Sequence, residues 1–75
     1  MLIRSQDKSQ LINLNNIREL RFWECAQGFD ITDCVSPIGH YSTKAKAMKV
    51  LDMIQEAYVN GHIDYQIPED SEVVV

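Results

Sequence analysis

The chain has 75 residues, of which 45% are hydrophobic, and seven basic residues against eleven acidic ones give a formal net charge of −4. A chain of this length forms one small domain that buries only about 60% of its unfolded surface, so we expect help from a partner or from a homodimer or higher oligomer. All seven basic residues and seven of the acidic ones precede Gly61, which places the acidic excess after it. Direct nucleic-acid binding is disfavoured, because phosphate contacts require clustered, uncompensated Lys and Arg.

The compartment is predicted from apolar runs and cysteines. Residues 1–20 contain no run of seven apolar residues, as a secretion signal would, and no stretch approaches the ~20 apolar residues of a membrane helix. We expect a cytosolic protein with no membrane partner. Its two cysteines, Cys25 and Cys34, are then free thiols, and they lack the C-x-x-C spacing of a zinc or redox site.

The first third of the chain predicts strands. Residues 1–5 and 10–14 form a hairpin around the polar turn at residues 6–9. Asn15 and Asn16 suit a tight turn, so residues 17–25 are predicted to return as a third strand. This pairing leaves apolar residues on both faces, which indicates a bulge or a sheet covered on two sides.

A second hairpin is predicted around a two-residue turn at residues 27–28, which places Glu24 opposite Ile31 on the core face. On the outer face the same register gives three pairs: Cys25 with Asp30, Trp23 with Thr32, and Arg21 with Cys34. The two cysteines are then too far apart to bridge, whereas a longer turn over residues 28–31 would place them opposite each other.

Residues 36–39 are predicted to end this strand, and residues 40–41 lead into a helix, alternatively as a short fifth strand. The helix is predicted over residues 43–60, with Ser42 or Thr43 as its N-cap and Asn60-Gly61 as a left-handed C-terminal cap. Its apolar face recurs at helical spacing: Ala47, Val50, Leu51, Ile54, Ala57 and Tyr58.

A short strand signal over residues 63–67 stops at Pro68. The sequence thus predicts an α+β fold, in which one long helix packs an antiparallel meander of four to five strands and a short extended segment follows. Residues 1–68 form the domain. For the acidic residues 69–75 the composition leaves both disorder and an extended arm open.

Three segments carry a resemblance: residues 1–8 (MLIRSQDK), residues 11–17 (LINLNNI) and residues 39–54 (GHYSTKAKAMKVLDMI). They resemble a family of small, mostly uncharacterised proteins of phages, prophages and mobile elements in Gram-positive bacteria. The resemblance brings no catalytic motif. It implies a setting in which small accessory proteins act by binding, including anti-CRISPR proteins that block host defences and sponges for signalling nucleotides.

No catalytic, metal-binding or cofactor-binding residue is predicted. The two histidines, His40 and His62, have no Cys, Asp or Glu at metal-ligand spacing. A Cys–His nucleophile pair would need a third group to orient the imidazole, and the sequence indicates none. Three glycines cannot build a glycine-rich phosphate loop. We therefore expect a protein that is not an enzyme.

The helix entrance is the first candidate site. Lysines cluster near the predicted N-terminus of the helix, the positive end of its dipole, and acidic residues lie toward the negative C-terminal end. This is the reverse of the arrangement that stabilises a helix. Five residues could together hold a phosphate or an acidic surface: His40, Ser42, Thr43, Lys44 and Lys46. The competing interpretation is a solvated lysine-rich face.

The second candidate is a partner-binding set: Trp23, Asp64, Tyr65, Glu69, Asp70 and Glu72. Its acids could enter a positively charged groove, or they could simply keep a small domain soluble. Trp23 lies on the predicted outer face, where it is either an exposed interface anchor or covered by the strand at residues 63–67.

The resemblance to phage and mobile-element proteins, taken with these features, implies a non-enzymatic phage or prophage accessory protein that inhibits a host antiviral defence component by direct protein binding, in the cytosol of a bacterial host. The first alternative is an oligomeric sponge that sequesters a nucleotide immune signal at the helix entrance. The second is an accessory structural protein without an inhibitory role.

Overall fold

A computed structural model describes residues 1–33 and 36–75. Its elements in chain order are β1 (Leu2–Arg4), β2 (Leu11–Asn13), β3 (Arg21–Cys25), β4 (Gly28–Thr32), β5 (Pro37–Tyr41), α1 (Lys44–Val59) and β6 (Asp64–Gln66), with 3-10 turns at Leu14–Asn16 and Asp70–Glu72. The predicted α+β class is confirmed. The prediction of one meander of four to five strands needs correction, because the strands divide into two three-stranded sheets of order β2-β1-β6 and β3-β4-β5.

The first sheet combines a local hairpin with a distant strand. β1 and β2 pair antiparallel as predicted, with Ile3 opposite Ile12. β6 joins the other edge of β1 in parallel, where the Leu2 amide donates to the Ile63 carbonyl at 2.9 Å. A parallel pair needs a long crossover connection, which the rest of the chain, including α1, supplies.

The prediction of a third strand over residues 17–25 is wrong for its first half, because β3 begins only at Arg21. The Asn13 side chain accepts a hydrogen bond from the Asn15 amide at 3.0 Å, and residues 14–16 form a 3-10 turn. Asn side chains commonly bond nearby main-chain groups, and here this local hydrogen bond favours the 3-10 turn over a hairpin turn. The chain therefore leaves the first sheet and does not fold back on β2, and strand geometry resumes only at Arg21.

The second sheet is an antiparallel meander, but the predicted hairpin register is wrong. Ala26 and Gln27 form the turn and Cys25 lies opposite Gly28, so Phe22 faces Ile31 in place of Glu24. Gly28 has a positive φ of 143°, but it lies just after the turn, as the first residue of β4, and not within the turn as predicted. Because the partner changes by two residues, each side chain keeps its predicted face.

Residues 36–39 do more than end the preceding strand, because Pro37 opens β5, which pairs with β4 through an irregularity at Ile31 and Thr32. The alternative of a short fifth strand before the helix is confirmed, and this strand begins three residues earlier than residues 40–41. Pro is tolerated at the first residue of an edge strand, where its missing amide hydrogen removes no ladder bond. The alternative of a longer turn over residues 28–31 is wrong, because these residues lie in β4 and Cys25 lies opposite Gly28; Cys34 itself lies outside the described residues.

The helix is close to its prediction. Thr43 is the N-cap and its hydroxyl accepts from the Lys46 amide at 3.2 Å, while Asn60 is the C-cap and Gly61 follows with a φ of 79°. The helix covers the β3-β4-β5 sheet. Of the predicted apolar face, Tyr58 is the exception, because it lies at the last turn and is exposed.

One core joins both sheets, the helix and the acidic tail. Its buried members are Ile3, Ile31, Ile38, Tyr41, Ala47, Val50, Ile54, Ile67 and Val73. Gln6 links the sheets, since its main-chain amide donates to the Ile38 carbonyl at 2.7 Å and its side chain bonds both the amide and the carbonyl of His40. The second sheet is thereby fixed against the first at the position that carries His40.

Candidate functional site

The helix entrance holds a carboxylate from the protein itself. Asp70 Oδ1 accepts from the Ser42 amide at 2.8 Å and from the Ser42 hydroxyl at 3.1 Å. Lys46 Nζ donates to the Asp70 carbonyl at 3.0 Å and lies 3.5 Å from its carboxylate. The hydrogen bonds from the Ser42 amide and then the Ser42 hydroxyl, followed by the charge of Lys46, hold the pKa of Asp70 below its usual value.

The five residues of the predicted anion site therefore do not form one site. Ser42 and Lys46 hold Asp70, and Thr43 uses its hydroxyl to cap the helix. Lys44 lies over the ring of Phe22, with Nζ 5.3 Å from the centroid, a cation–π arrangement. His40 lies on β5, where its imidazole is bonded to Asp30 of the neighbouring strand. A nucleotide phosphate at this entrance would have to displace the tail.

The acidic residues of the predicted partner-binding set are also dispersed. Glu69 and Glu72 cap the short 3-10 turn reciprocally, with the Glu69 amide donating to Glu72 at 2.9 Å. Asp64 is exposed on β6. Tyr65 beside it is partly covered, and this burial raises the pKa of its phenol. These residues do not present one continuous acidic surface.

Trp23 is the exposed aromatic member of that set. It lies at the middle of β3 with 60% of its surface exposed, on the face of the sheet away from α1. β6, the strand considered as a cover for it, belongs to the other sheet. Across the strands Trp23 lies opposite Asp30, and Asp30 lies opposite His40. This row of three side chains, together with Cys25 on the same face of β3 as Trp23, forms the outer face, the name used below for these four residues.

A cluster of three chemically reactive side chains lies on the outer face. His40 Nδ1 is 2.7 Å from Asp30 Oδ1, and Cys25 Sγ is 4.0 Å from the same oxygen. One ligand atom from each residue falls within 4.8 Å of the others. The side chains of His40 and Asp30 are 47% and 23% exposed, so solvent reaches the cluster.

This cluster supplies the orienting group for histidine that the sequence did not indicate. Asp30 takes that position, but the Cys25 thiol donates to the Gly28 carbonyl at 3.3 Å, and no hydrogen bond joins it to the imidazole of His40. An activated Cys–His nucleophile requires that bond. The sequence indicated part of this cluster, because it placed Cys25 and Asp30 together on the outer face. It did not indicate His40, whose position beside Asp30 follows from the pairing of β4 with β5.

Two shallow grooves lie on the surface, one beside this cluster and one beside the helix. One of about 290 Å³ runs along β5 beside Gln6, Asp30 and His40. The other, of about 350 Å³, lies between the 3-10 turn and the helix and is lined by apolar residues that include Ile17, Ile54 and Tyr58. Both are open to solvent, so neither encloses a small molecule.

Comparisons with protein-family models, with curated proteins and with solved structures find no match. Within the described residues, no helix combines the length and the apolar character needed to cross a membrane. The fold and the site therefore define a small α+β domain whose tail closes its own helix entrance and whose outer face presents Trp23 beside a Cys–Asp–His cluster.

Proposed function

We propose that the protein acts without catalysis, in the cytosol of a bacterial host, as a phage or prophage accessory protein that inhibits an antiviral defence component by binding it directly. The observation that carries the proposal is Trp23, a large aromatic side chain exposed at the middle of a paired strand. The resemblance of the sequence to small proteins of phages and mobile elements supplies the biological setting.

Trp23 is suited to be the anchor of an interface. Tryptophan is among the residues that contribute most when they enter a pocket on a partner protein. Its backbone is fixed by pairing with Asp30 on the neighbouring strand, so little conformational entropy of the main chain is lost on binding. The polar side chains of Asp30 and His40 beside it provide the hydrogen-bonding rim that surrounds such an anchor.

The contacts around Asp70 favour this surface over the other candidates. Because Ser42 and Lys46 already hold the Asp70 carboxylate, the tail is not a free acidic arm and the helix entrance is not a free anion site. The nucleotide sponge would need a phosphate that outcompetes an intramolecular carboxylate. The outer face around Trp23 needs no such rearrangement before it meets a partner.

Phage challenge of a defended host tests the proposal. Gram-positive cells with a defined antiviral defence system express the wild type or Trp23→Ala, and the efficiency of plating of a restricted phage is measured. Tyr58→Ala is the matched control, because Tyr58 is 57% exposed but lies on the helix. Circular dichroism verifies that each variant folds.

We expect the wild type and Tyr58→Ala to restore plating against at least one defence system, and Trp23→Ala to restore none. If Trp23→Ala restores plating as well as the wild type does, Trp23 is not the anchor. A wild type without effect across a panel of defence systems would contradict the inhibitory role, and a purified protein whose melting temperature rises with cyclic nucleotides would favour the sponge.

A further inference from the structure

We infer that Cys25, Asp30 and His40 form a binding site for a divalent transition metal ion, for which Zn²⁺ is the best fit. The three residues come from three neighbouring strands, β3, β4 and β5, and offer a thiol sulfur, a carboxylate oxygen and an imidazole nitrogen within 4.8 Å of one another. This inference is independent of the proposed function, because it concerns the purified protein alone.

The sheet brings the ligands together before any metal arrives. Asp30 and His40 are direct cross-strand partners, and the pairing of Cys25 with Gly28 closes the hairpin next to them. Ligands on paired strands are held more accurately than ligands on loops. Gln6 adds a further constraint, because its side-chain amide bonds both main-chain groups of His40.

Gly28 leaves the space that the imidazole occupies. A Cβ atom at this position would lie 3.1 Å and 3.2 Å from two atoms of the His40 ring, and 2.5 Å from the Tyr41 carbonyl oxygen. Its φ of 143° also favours glycine. Glycine at this position therefore allows the ring to lie over the strand toward Cys25 and Asp30.

The distances fit a metal after small side-chain movements. A tetrahedral Zn²⁺ with bonds of about 2.0–2.3 Å holds its ligand atoms about 3.3–3.6 Å apart. The 4.0 Å between Cys25 Sγ and Asp30 Oδ1 would shorten by about 0.5 Å, and the 2.7 Å between Asp30 Oδ1 and His40 Nδ1 would lengthen by about 0.6 Å, to reach that range. The distance between the Cys25 and His40 ligand atoms is at most 4.8 Å and would shorten by up to about 1.2 Å. Side-chain rotations supply changes of this size without moving the strands.

The donor set selects the metal. A sulfur ligand with one nitrogen and one oxygen suits Zn²⁺ and related transition ions, whereas Mg²⁺ and Ca²⁺ prefer oxygen ligands alone. On binding, the Cys25 thiol releases its proton to solvent, and His40 coordinates through Nδ1 as the neutral tautomer with its proton on Nε2. Three protein ligands leave a fourth position for water or for a group of a partner.

Cobalt titration of the reduced protein, purified without a histidine tag, tests the site. Tetrahedral Co²⁺ bound to a thiolate gives a sulfur-to-cobalt charge-transfer absorption and visible d–d bands. Trp23, the single tryptophan of the chain, lies opposite Asp30 and serves as a second reporter, because paramagnetic Co²⁺ quenches its fluorescence. Zn²⁺ should then displace Co²⁺ and raise the melting temperature.

Single variants assign the ligands. We expect Cys25→Ser to abolish the charge-transfer band, and Asp30→Asn and His40→Gln to weaken Co²⁺ binding by at least about 100-fold, since even outer-shell partners contribute about 10- to 100-fold. Cys34→Ser and His62→Gln are the matched controls and should bind as the wild type does. Circular dichroism of the metal-free variants verifies that they fold.

Two results would overturn the site. One is a wild type that neither develops the charge-transfer band nor changes its tryptophan fluorescence at millimolar Co²⁺, which would leave Asp30 and His40 as a hydrogen-bonded pair only. The other is a band that survives Cys25→Ser, or that Cys34→Ser removes, which would place the thiolate ligand elsewhere in the chain.

Discussion

Replacing Val73 by alanine tests whether the acidic tail is part of the folded domain. Val73 is 4% exposed and belongs to the core shared by both sheets and the helix. The substitution removes two buried methyl groups, each contributing about 0.8 kcal/mol. With a contribution from the cavity left behind, we expect the free energy of unfolding to fall by about 2 kcal/mol.

Thermal unfolding followed by circular dichroism measures this loss. In a domain of this size 1 kcal/mol corresponds to about 4–8 °C, so Val73→Ala should lower the melting temperature by about 8–16 °C. Val74→Ala makes the same chemical change one residue further on, where the side chain is 82% exposed. Exposed substitutions of this kind change stability by about 0.5 kcal/mol or less.

Equal, small shifts for Val73→Ala and Val74→Ala would refute the reasoning. The tail would then be frayed in solution, its carboxylates would be free, and the helix entrance would again be open to an external anion. The pair of valines thus decides between an integrated tail and the free acidic arm that the composition left open.

Two further predictions concern pH. The pKa of Asp70 is lower in the folded than in the unfolded state, so its negative charge stabilises the fold. This contribution is present above the pKa of the unfolded state and is lost as the pH falls through the pKa of the folded state. As a partly exposed pair with Lys46, Asp70 contributes at most about 1 kcal/mol. Asp70→Asn should therefore melt lower than the wild type at pH 6 and at the same temperature near pH 2. A difference that persists in acid would contradict this. Burial raises the pKa of Tyr41, so its contribution is present below pH 10 and is lost as the pH rises beyond it. Tyr41→Phe removes the hydroxyl that donates to the Pro68 carbonyl at 2.6 Å, and should lower the free energy of unfolding by about 1 kcal/mol at pH 7. It should also flatten the decline of the urea midpoint above pH 10. An unchanged alkaline slope would show that Tyr41 does not titrate on unfolding.

Local signals made the helix predictable. Thr43 as an N-cap, the apolar repeat and Gly61 after the end all depend on residues within one or two turns, and the structure follows them. The first hairpin is equally local, with its polar turn stabilised by Asp7, whose pKa is lowered to about 2 by hydrogen bonds from Ser9 and Ser5. Such short-range chemistry can be derived from the sequence without knowledge of the fold.

Strand partners and registers were predicted less well, because several local solutions compete. Asn15 and Asn16 fit a hairpin turn as well as they fit the 3-10 turn that the Asn13 side chain stabilises. Gly28 is used for its positive φ, but as the first residue of β4. The parallel pairing of β6 with β1 joins the two ends of the chain, and the sequence contains no local signal for it.

The charge pattern shows the same limit at the candidate sites. The sequence separates a lysine-rich helix entrance from an acidic tail, and their contact through Asp70 becomes visible only when the chain folds. The cluster of Cys25, Asp30 and His40 likewise assembles from three strands. Neither group has the regular spacing by which sites on a single element are found.

The most direct test of the proposed function is the dissociation constant of the host protein captured from the defended host, measured by calorimetry with purified components. We predict that Trp23→Ala raises it at least about 30-fold, equivalent to about 2 kcal/mol, while Tyr58→Ala changes it by less than about threefold. A Trp23→Ala variant that binds within about threefold of the wild type would contradict the claim that the outer face is the interface.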